Sequence, residues 1–271
     1  MTSGVLLFAH NSPHIDYVKQ AVFCAKKIKE HLKLQVALVT DSQKYLERAF
    51  PFHNNYIDHV ISNHHKTDQH RKFWNGSTYK NLPWNNFTRC NSYELTPFQK
   101  TLVLDTDFLV GNNLLLKCFE DNHFKINKKF IDLNPHRNDD TLDRVSETTI
   151  DMSWATVFYF CKNKFGSTFF ELVKHIQDNW NYYRLCYSIQ ENNFRNDFAF
   201  SIALHIMGNP QKELPCNLYL TTDKDLLLSI EKDRYKMLLE NDTMCSVNNT
   251  NLHIMNKFTL NDKIHQELQN E

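Results

Sequence analysis

The run Val5-Leu-Leu-Phe-Ala9 is apolar without a break. A strand with one face in water alternates apolar and polar residues, so an unbroken run must be covered on both faces. It ends in polar His10-Asn11-Ser12-Pro13, then Tyr17, Val18, Ala21, Val22, Ala25 and Ile28 recur at helical spacing to about His31. Ser12 as cap and Pro13 in the first turn predict where that helix starts. Gln35-Val-Ala-Leu-Val-Thr40 repeats the unbroken pattern and is closed by Asp41. Residues 42–50 read as a short helix and 56–62 as a third strand. This β-α-β-α-β opening predicts an α/β fold with a mostly parallel central sheet.

Later segments continue the pattern less regularly. Residues 63–86 are polar and His-rich, carry Trp74 and Trp84, and read as a long loop or loop-helix insertion. Residues 88–95 and 112–120 suit short helices, and 100–110 a buried strand holding two carboxylates. Residues 130–147 read as irregular. Trp154-Ala-Thr-Val-Phe-Tyr-Phe160 predicts another buried strand. Residues 165–180 and 196–207 predict helices, and 236–239 and 250–255 late strands. No repeat or Pro/Gly/Ser linker divides the chain, so 1–271 reads as a single domain.

Composition removes several functions. The five glycines compare with about 19 in an average chain of 271 residues. None are spaced as G-x-G-x-x-G or as a Walker loop, so phosphate must be held by something else, such as a metal ion or lysine. Lysine plus arginine, 31, equals aspartate plus glutamate, 31, which disfavours a strongly basic nucleic-acid module. The seven cysteines show no C-x-x-C and read as reduced thiols of a cytoplasmic protein. No secretory leader and no apolar stretch of membrane-spanning length is expected.

Asp105-Thr106-Asp107 follows Leu102-Val-Leu104 directly. Carboxylates inside an apolar run are costly unless something satisfies them. Ligands of open α/β sheets bind at the carboxyl ends of the strands, where two hard oxygen donors suit Mn²⁺ or Mg²⁺. The alternative is a strand end capped by two solvated aspartates. His64, His65 and His70 lack carboxylate or cysteine partners at close spacing and read as a loop feature.

The run Val103-Leu-Asp-Thr-Asp-Phe-Leu-Val110 resembles the metal-binding strand of GT-A glycosyltransferases, especially the glycogenin-like and bacterial galactosyltransferase-like family 8. Tyr93-Glu-Leu-Thr-Pro-Phe-Gln-Lys100 is similar to the family's lead-in. Trp154-Ala-Thr stands where the family usually has Asn-Ser-Gly, and Phe198 where it has Gln. Arg195-Asn196-Asp197-Phe-Ala199 resembles the family's helix start beside the donor sugar, and its Asn-Asp pattern resembles bacteriophage enzymes. Leu252-His253-Ile-Met-Asn-Lys257 resembles a shortened form of the late His…Lys motif.

The resemblance implies a GT-A-type, Rossmann-like three-layer sandwich. Its nucleotide-binding half would be 1–110 and its acceptor-side half 111–271, with a C-terminal metal and diphosphate segment. It implies a metal-dependent enzyme using a nucleotide-diphosphate sugar as donor. Asp105, Asp107 and His253 would hold the metal. Ala9, Asn11 and Asp41 would lie near the base, with Arg89 near the nucleotide or diphosphate and Lys257 at the diphosphate. Asp197 and Asn196 would be catalytic. The acceptor is left open between a carbohydrate, a protein and a modified DNA base such as hydroxymethylcytosine. The last would place the enzyme in a phage-infected host cytoplasm, with His70-Arg71-Lys72 and 125–129 as candidate basic patches. A nucleotidyltransferase, an aspartyl phosphatase and a non-catalytic nucleotide-binding protein on a related sheet stand as alternatives. Locally, Asn11 and Ser12 also suit helix caps, Arg89 and Lys257 surface or ion-pairing roles, Asp197 a helix-start carboxylate, and His253 a hydrogen-bonded core histidine.

Overall fold

The computed structural model describes residues 2–63, 70–74, 78–83, 87–137, 143–146 and 149–268. His64, His65 and Trp84 lie outside the described residues. The strands are β1 (Ser3–Ala9), β2 (Gln35–Thr40), β3 (His59–Ser62), β4 (His70–Trp74), β5 (Tyr79–Pro83), β6 (Lys100–Leu104), β7 (Phe108–Leu109), β8 (Lys125–Ile126), β9 (Ile131–Asp132), β10 (Val157–Cys161), β11 (Tyr219–Leu220), β12 (Leu226–Glu231), β13 (Arg234–Leu238), β14 (Met244–Asn248) and β15 (Leu252–His253). The helices are α1 (Tyr17–His31), α2 (Gln43–Ala49), α3 (Ser92–Leu95), α4 (Lys164–Asp178), α5 (Trp180–Cys186), α6 (Asn196–Ile206) and α7 (Lys257–Leu268).

The central sheet runs β3-β2-β1-β6-β10-β8. The first four strands are parallel, and β10 is antiparallel to both of its neighbours. The unbroken apolar runs are covered on both sides, as their composition requires. Val5, Leu7, Val36, Leu38, Leu102 and Leu104 face a core that includes α1 and α7. Leu6, Ala37, Val39 and Val103 face the opposite core, with Phe169 and Phe170 of α4 and Phe200 of α6. The result is the expected α/β three-layer arrangement around a mostly parallel sheet. From β1 the chain steps outward to β2 and β3, then returns to the other side of β1 as β6. That reversal opens a crevice at the carboxyl ends of β1 and β6.

Several local expectations are corrected. Asp16, not Ser12, caps α1, accepting from the Lys19 amide at 2.9 Å. The described part of 63–86 contains the antiparallel pair β4-β5 rather than only a loop. The single strand expected over 100–110 is two strands in different sheets. β6 ends at Leu104, the chain turns through Asp105-Thr106-Asp107, and β7 joins a second sheet, β7-β15-β11-β9. The carboxylates therefore sit at a corner where no ladder bond is lost. β3 starts at His59, β10 starts at Val157 after a turn at Ala155-Thr156, and residues 114–120 are a 3₁₀ helix. The segment 236–239 belongs to a three-stranded antiparallel meander, β12-β13-β14, and 250–255 forms only the short β15. Helices α5 and α7 were not expected at all.

Candidate active site

The corner between the two sheets builds the site. β7 pairs with β15 so that His253 lies opposite Phe108 and Leu252 opposite Leu109. The Ile254 amide donates to the Asp107 carbonyl at 3.0 Å. Gly111 lets the strands meet: a Cβ there would lie 2.4 Å from the Thr250 carbonyl oxygen. This register brings the His253 Nε2 to 3.2 Å from Asp107 Oδ2 across 146 residues of chain. Lys257, at the start of α7, places its ammonium on the same Asp107 oxygen. Asp107 is only 3% exposed and His253 9%. Burial alone would raise the Asp107 pKa, but the charges of Lys257 and His253 outweigh it and hold this carboxyl well below the usual carboxylate range.

Asp105 carries an ion pair with Arg89. The same guanidinium donates through Nη1 to the Ala155 carbonyl at 2.9 Å. Burial pushes the Arg89 pKa down, while Asp197 and Asp107 push it up. The Ala155 amide in turn donates to Asp197 Oδ1 at 2.9 Å, and Arg195 donates to Asp197 Oδ2 at 3.1 Å. Asp197 stands in the first turn of α6, where the helix dipole favours negative charge.

These residues line one cavity at the carboxyl ends of β1 and β6. Its wall includes Asp105, Asp107, His253, Lys257, Arg89, Asn196 and Asp197. Asp105, Asp107 and His253 each offer one ligand atom, all within 4.8 Å of one another. Asn196 is buried on that wall. The other three expected positions lie beside the lining rather than on it. Ala9 is fully buried at the end of β1. Asn11 accepts from the Val18 amide at 2.9 Å, so its side chain serves the start of α1. Asp41 pairs with His10, which does line the cavity, at 3.4 Å and accepts from Ser42 Oγ at 2.8 Å.

Sequence reasoning missed other wall residues. Arg195 lay inside the quoted helix-start segment without a role. Arg71 lay in a basic tripeptide read as a candidate patch for a nucleic-acid backbone rather than as part of this cavity. Tyr17 was read only as part of an apolar helix face. Its phenol lines the cavity, and burial, reinforced by the Asp107 charge, pushes its pKa up, so it stays a neutral hydrogen-bonding group. The basic segment 125–129 has a different use. Lys125 is buried on Asp121, while Lys128 pairs with Asp151 and Lys129 with Asp143. Among the described residues no helix is long and apolar enough to cross a membrane.

No protein-family model matches the chain, and no curated protein matches it. Solved structures share part of its backbone path. The glycosyltransferase GlyE of Streptococcus pneumoniae TIGR4 superposes with a TM-score of 0.46 at 15% identity, over 79% of this chain and 45% of that chain. The galactosyltransferase LgtC, in complex with donor and acceptor sugar analogs, superposes with a TM-score of 0.47 at 14% identity, over 73% of this chain and 70% of that chain. The chain thus spans less than half the length of the GlyE chain it matches. These likenesses concern the path of the backbone, and what the site does is a question for its own residues.

Proposed function

We propose that this chain is a metal-dependent glycosyltransferase that moves a sugar from a nucleoside diphosphate sugar to an acceptor hydroxyl. The observation that carries the reading is the convergence of Asp105, Asp107 and His253, with ligand atoms within 4.8 Å of one another, beside the cations Lys257 and Arg89. Two carboxylates and an imidazole fit a divalent ion. The nitrogen donor favours Mn²⁺ over Mg²⁺, which prefers oxygen and water. When bound, such an ion supplies positive charge for a departing diphosphate.

The chain's own groups do the rest. Lys257 and Arg89 already sit on the two aspartates and can trade them for phosphate oxygens. In the transfer, the acceptor oxygen bonds to the anomeric carbon. The bond from that carbon to the diphosphate oxygen breaks, and its electron pair leaves with the diphosphate. Asp197 orients the acceptor hydroxyl and takes its proton. Each of its oxygens has one donor, from Ala155 and Arg195, and keeps a further lone pair for this work. Asn196 lines the wall next to it. Asp41 and His10, at the ends of β2 and β1, mark the side on which the base would lie. Residues of both 1–110 and 111–271 meet at the site, which is why we read the chain as one working unit.

The test is thermal unfolding with UDP, GDP, CMP and ADP, each with and without Mn²⁺, on the wild type and Asp107→Asn. A ligand at about 100 times its Kd stabilises by roughly 2.7 kcal/mol. A nucleotide shift that requires Mn²⁺ and disappears in the variant is expected, and names the base. No shift with any pair would sink the reading.

A further inference from the structure

A shallow groove adjoins the cavity. Its walls are β4, which supplies Arg71 and Lys72, β5, which supplies Asn81, and the segment before α6, which supplies Glu191, Asn193 and Arg195. Arg71 and Arg195 line both spaces, so the groove opens directly onto the site. Both guanidinium groups are held on aromatic rings. That of Arg71 lies 5.7 Å from the Phe73 centroid, and that of Arg195 lies 4.9 Å from the Phe198 centroid. The two walls are joined where the Asn193 amide donates to the His70 carbonyl at 2.8 Å.

The charge of the groove is one-sided. Among its described lining residues, Arg71, Lys72 and Arg195 are basic, with His70 beside them, while Glu191 is the one carboxylate. Glu191 lies on Arg195 at 3.7 Å, and Asp197 lies on the same guanidinium at 3.1 Å. Burial and the Arg195 charge push the Arg71 pKa down, while the charges of Asp197 and Glu191 push it up. An anion entering the groove meets the guanidinium of Arg71 and the ammonium of Lys72, and the amides of Asn81 and Asn193 offer it hydrogen bonds. The positive field is also short. The other basic run, 125–129, has its lysines engaged with Asp121, Asp151 and Asp143. A polymer of phosphates is gripped by roughly 6–10 contacts along its length. Three cations around one opening suit a single anionic group.

We propose that this groove is the acceptor subsite, and that the acceptor is a small hydroxyl compound bearing one phosphate or carboxylate, held by Arg71 and Lys72 while its hydroxyl reaches Asp197. The inference rests on the glycosyl-transfer reading and deepens it.

The experiment uses the full chain with Mn²⁺ and a saturating nucleoside diphosphate, so that the diphosphate subsite is filled. Glucose 6-phosphate, glucuronate, glucose and an oligodeoxynucleotide are then titrated calorimetrically into the wild type, Arg71→Gln and Lys72→Gln. Glucose 6-phosphate or glucuronate should bind at least about tenfold more tightly than glucose, and the arm that binds identifies the anion. Both variants should weaken that binding by about threefold or more, the order expected for losing one charge-assisted contact. Anions that bind no better than glucose, or equally well to both variants, would overturn the proposal. So would tight oligonucleotide binding with a steep salt dependence, which would make the acceptor a polymer. The nucleoside-diphosphate shift is a separate readout. Anion binding without that shift would defeat the transfer reading, and with it the groove's role as an acceptor subsite.

Discussion

Asp197 accepts a hydrogen bond from the Ala155 backbone amide at 2.9 Å, which fixes the carboxylate to the turn that leads into β10. Ala155 also receives Arg89 on its carbonyl. The two peptide groups that flank one residue, Ala155, therefore set the distance between the proposed proton acceptor and the aspartate corner. Asp197→Asn keeps an oxygen for Ala155 but weakens the tie to Arg195. We expect sugar transfer to fall by about 100-fold or more, in kcat rather than KM, with the melting temperature nearly unchanged. Product quantification under steady-state conditions checks this, and unchanged kcat removes Asp197 from the chemistry.

In the proposed metal site, Lys257 and Arg89 would compete with a divalent ion for the aspartates. Lys257→Ala should therefore bind Mn²⁺ without nucleotide more tightly than the wild type, by about tenfold for a charge interaction of some 1.4 kcal/mol. The same variant should bind the nucleoside diphosphate more weakly. Titration of Mn²⁺ followed by electron paramagnetic resonance reads the first effect. Weaker Mn²⁺ binding in the variant would mean that Lys257 does not oppose the metal.

Gly111→Ala places a methyl group against the Thr250 backbone at β7-β15. Backbone cannot move aside cheaply, so a loss of about 1–3 kcal/mol in unfolding free energy is expected. Mn²⁺ affinity should fall with it, because this pairing brings His253 to Asp107. Urea denaturation and metal titration on one sample test the link. A variant that is destabilised but binds metal normally would break it.

Asp225 is buried and accepts from Arg137 through both carboxylate oxygens, at 2.8 Å and 2.6 Å, and from the amides of Thr222 and Glu240. Burial acts to raise its pKa, but Arg137 and the two amides prevail and lower it from 3.8. A carboxyl with a lowered folded-state pKa stabilises fully above its unfolded value, and that contribution fades as the pH falls through the folded value. Asp225→Asn should cost about 3 kcal/mol at neutral pH by leaving Arg137 incompletely paired. The difference from wild type should hold down to the ordinary carboxylate range and shrink only below 3.8. Denaturant curves across the acid range decide it, and a gap that closes near neutrality would refute the assignment.

Cys90 and Cys118 are buried, and that burial pushes both thiols up to about 12. Cys186 is exposed. A disulfide reagent at mildly alkaline pH should label Cys186 first, and Cys90 and Cys118 only on unfolding. Mass spectrometry of a time course reads the order, and native labelling of Cys118 at the Cys186 rate would contradict the packing.

The half of the fold built from strands buried on both faces was legible because an unbroken apolar run has few ways to be satisfied. The meander Leu226–Asn248 was mostly hidden. β12 and β13 mix buried with half-exposed and exposed residues, β14 has no buried residue, and the turns use Lys232 and Asp242 at φ 57° and 59° rather than an Asn-Gly signal. Helix α7 is polar enough to pass for a surface tail, and it docks through Leu260 and Ile264. At the site, Asp105 and Asp107 were visible as carboxylates in an apolar run. Arg71 and Arg195 were not, because a charged residue on a hairpin or loop looks the same whether it faces solvent or a cavity.

The pairing of β7 with β15 also has a temporal side. Ribosomes deliver a chain from its amino end, so Asp105 and Asp107 exist long before His253 and Lys257 emerge. Until then the buried Asp107 carboxylate has neither its imidazole nor its ammonium, and the second sheet lacks the strand that closes its corner. An unfinished polypeptide is thus unable to assemble this pocket, because two of its wall residues are among the last to be made.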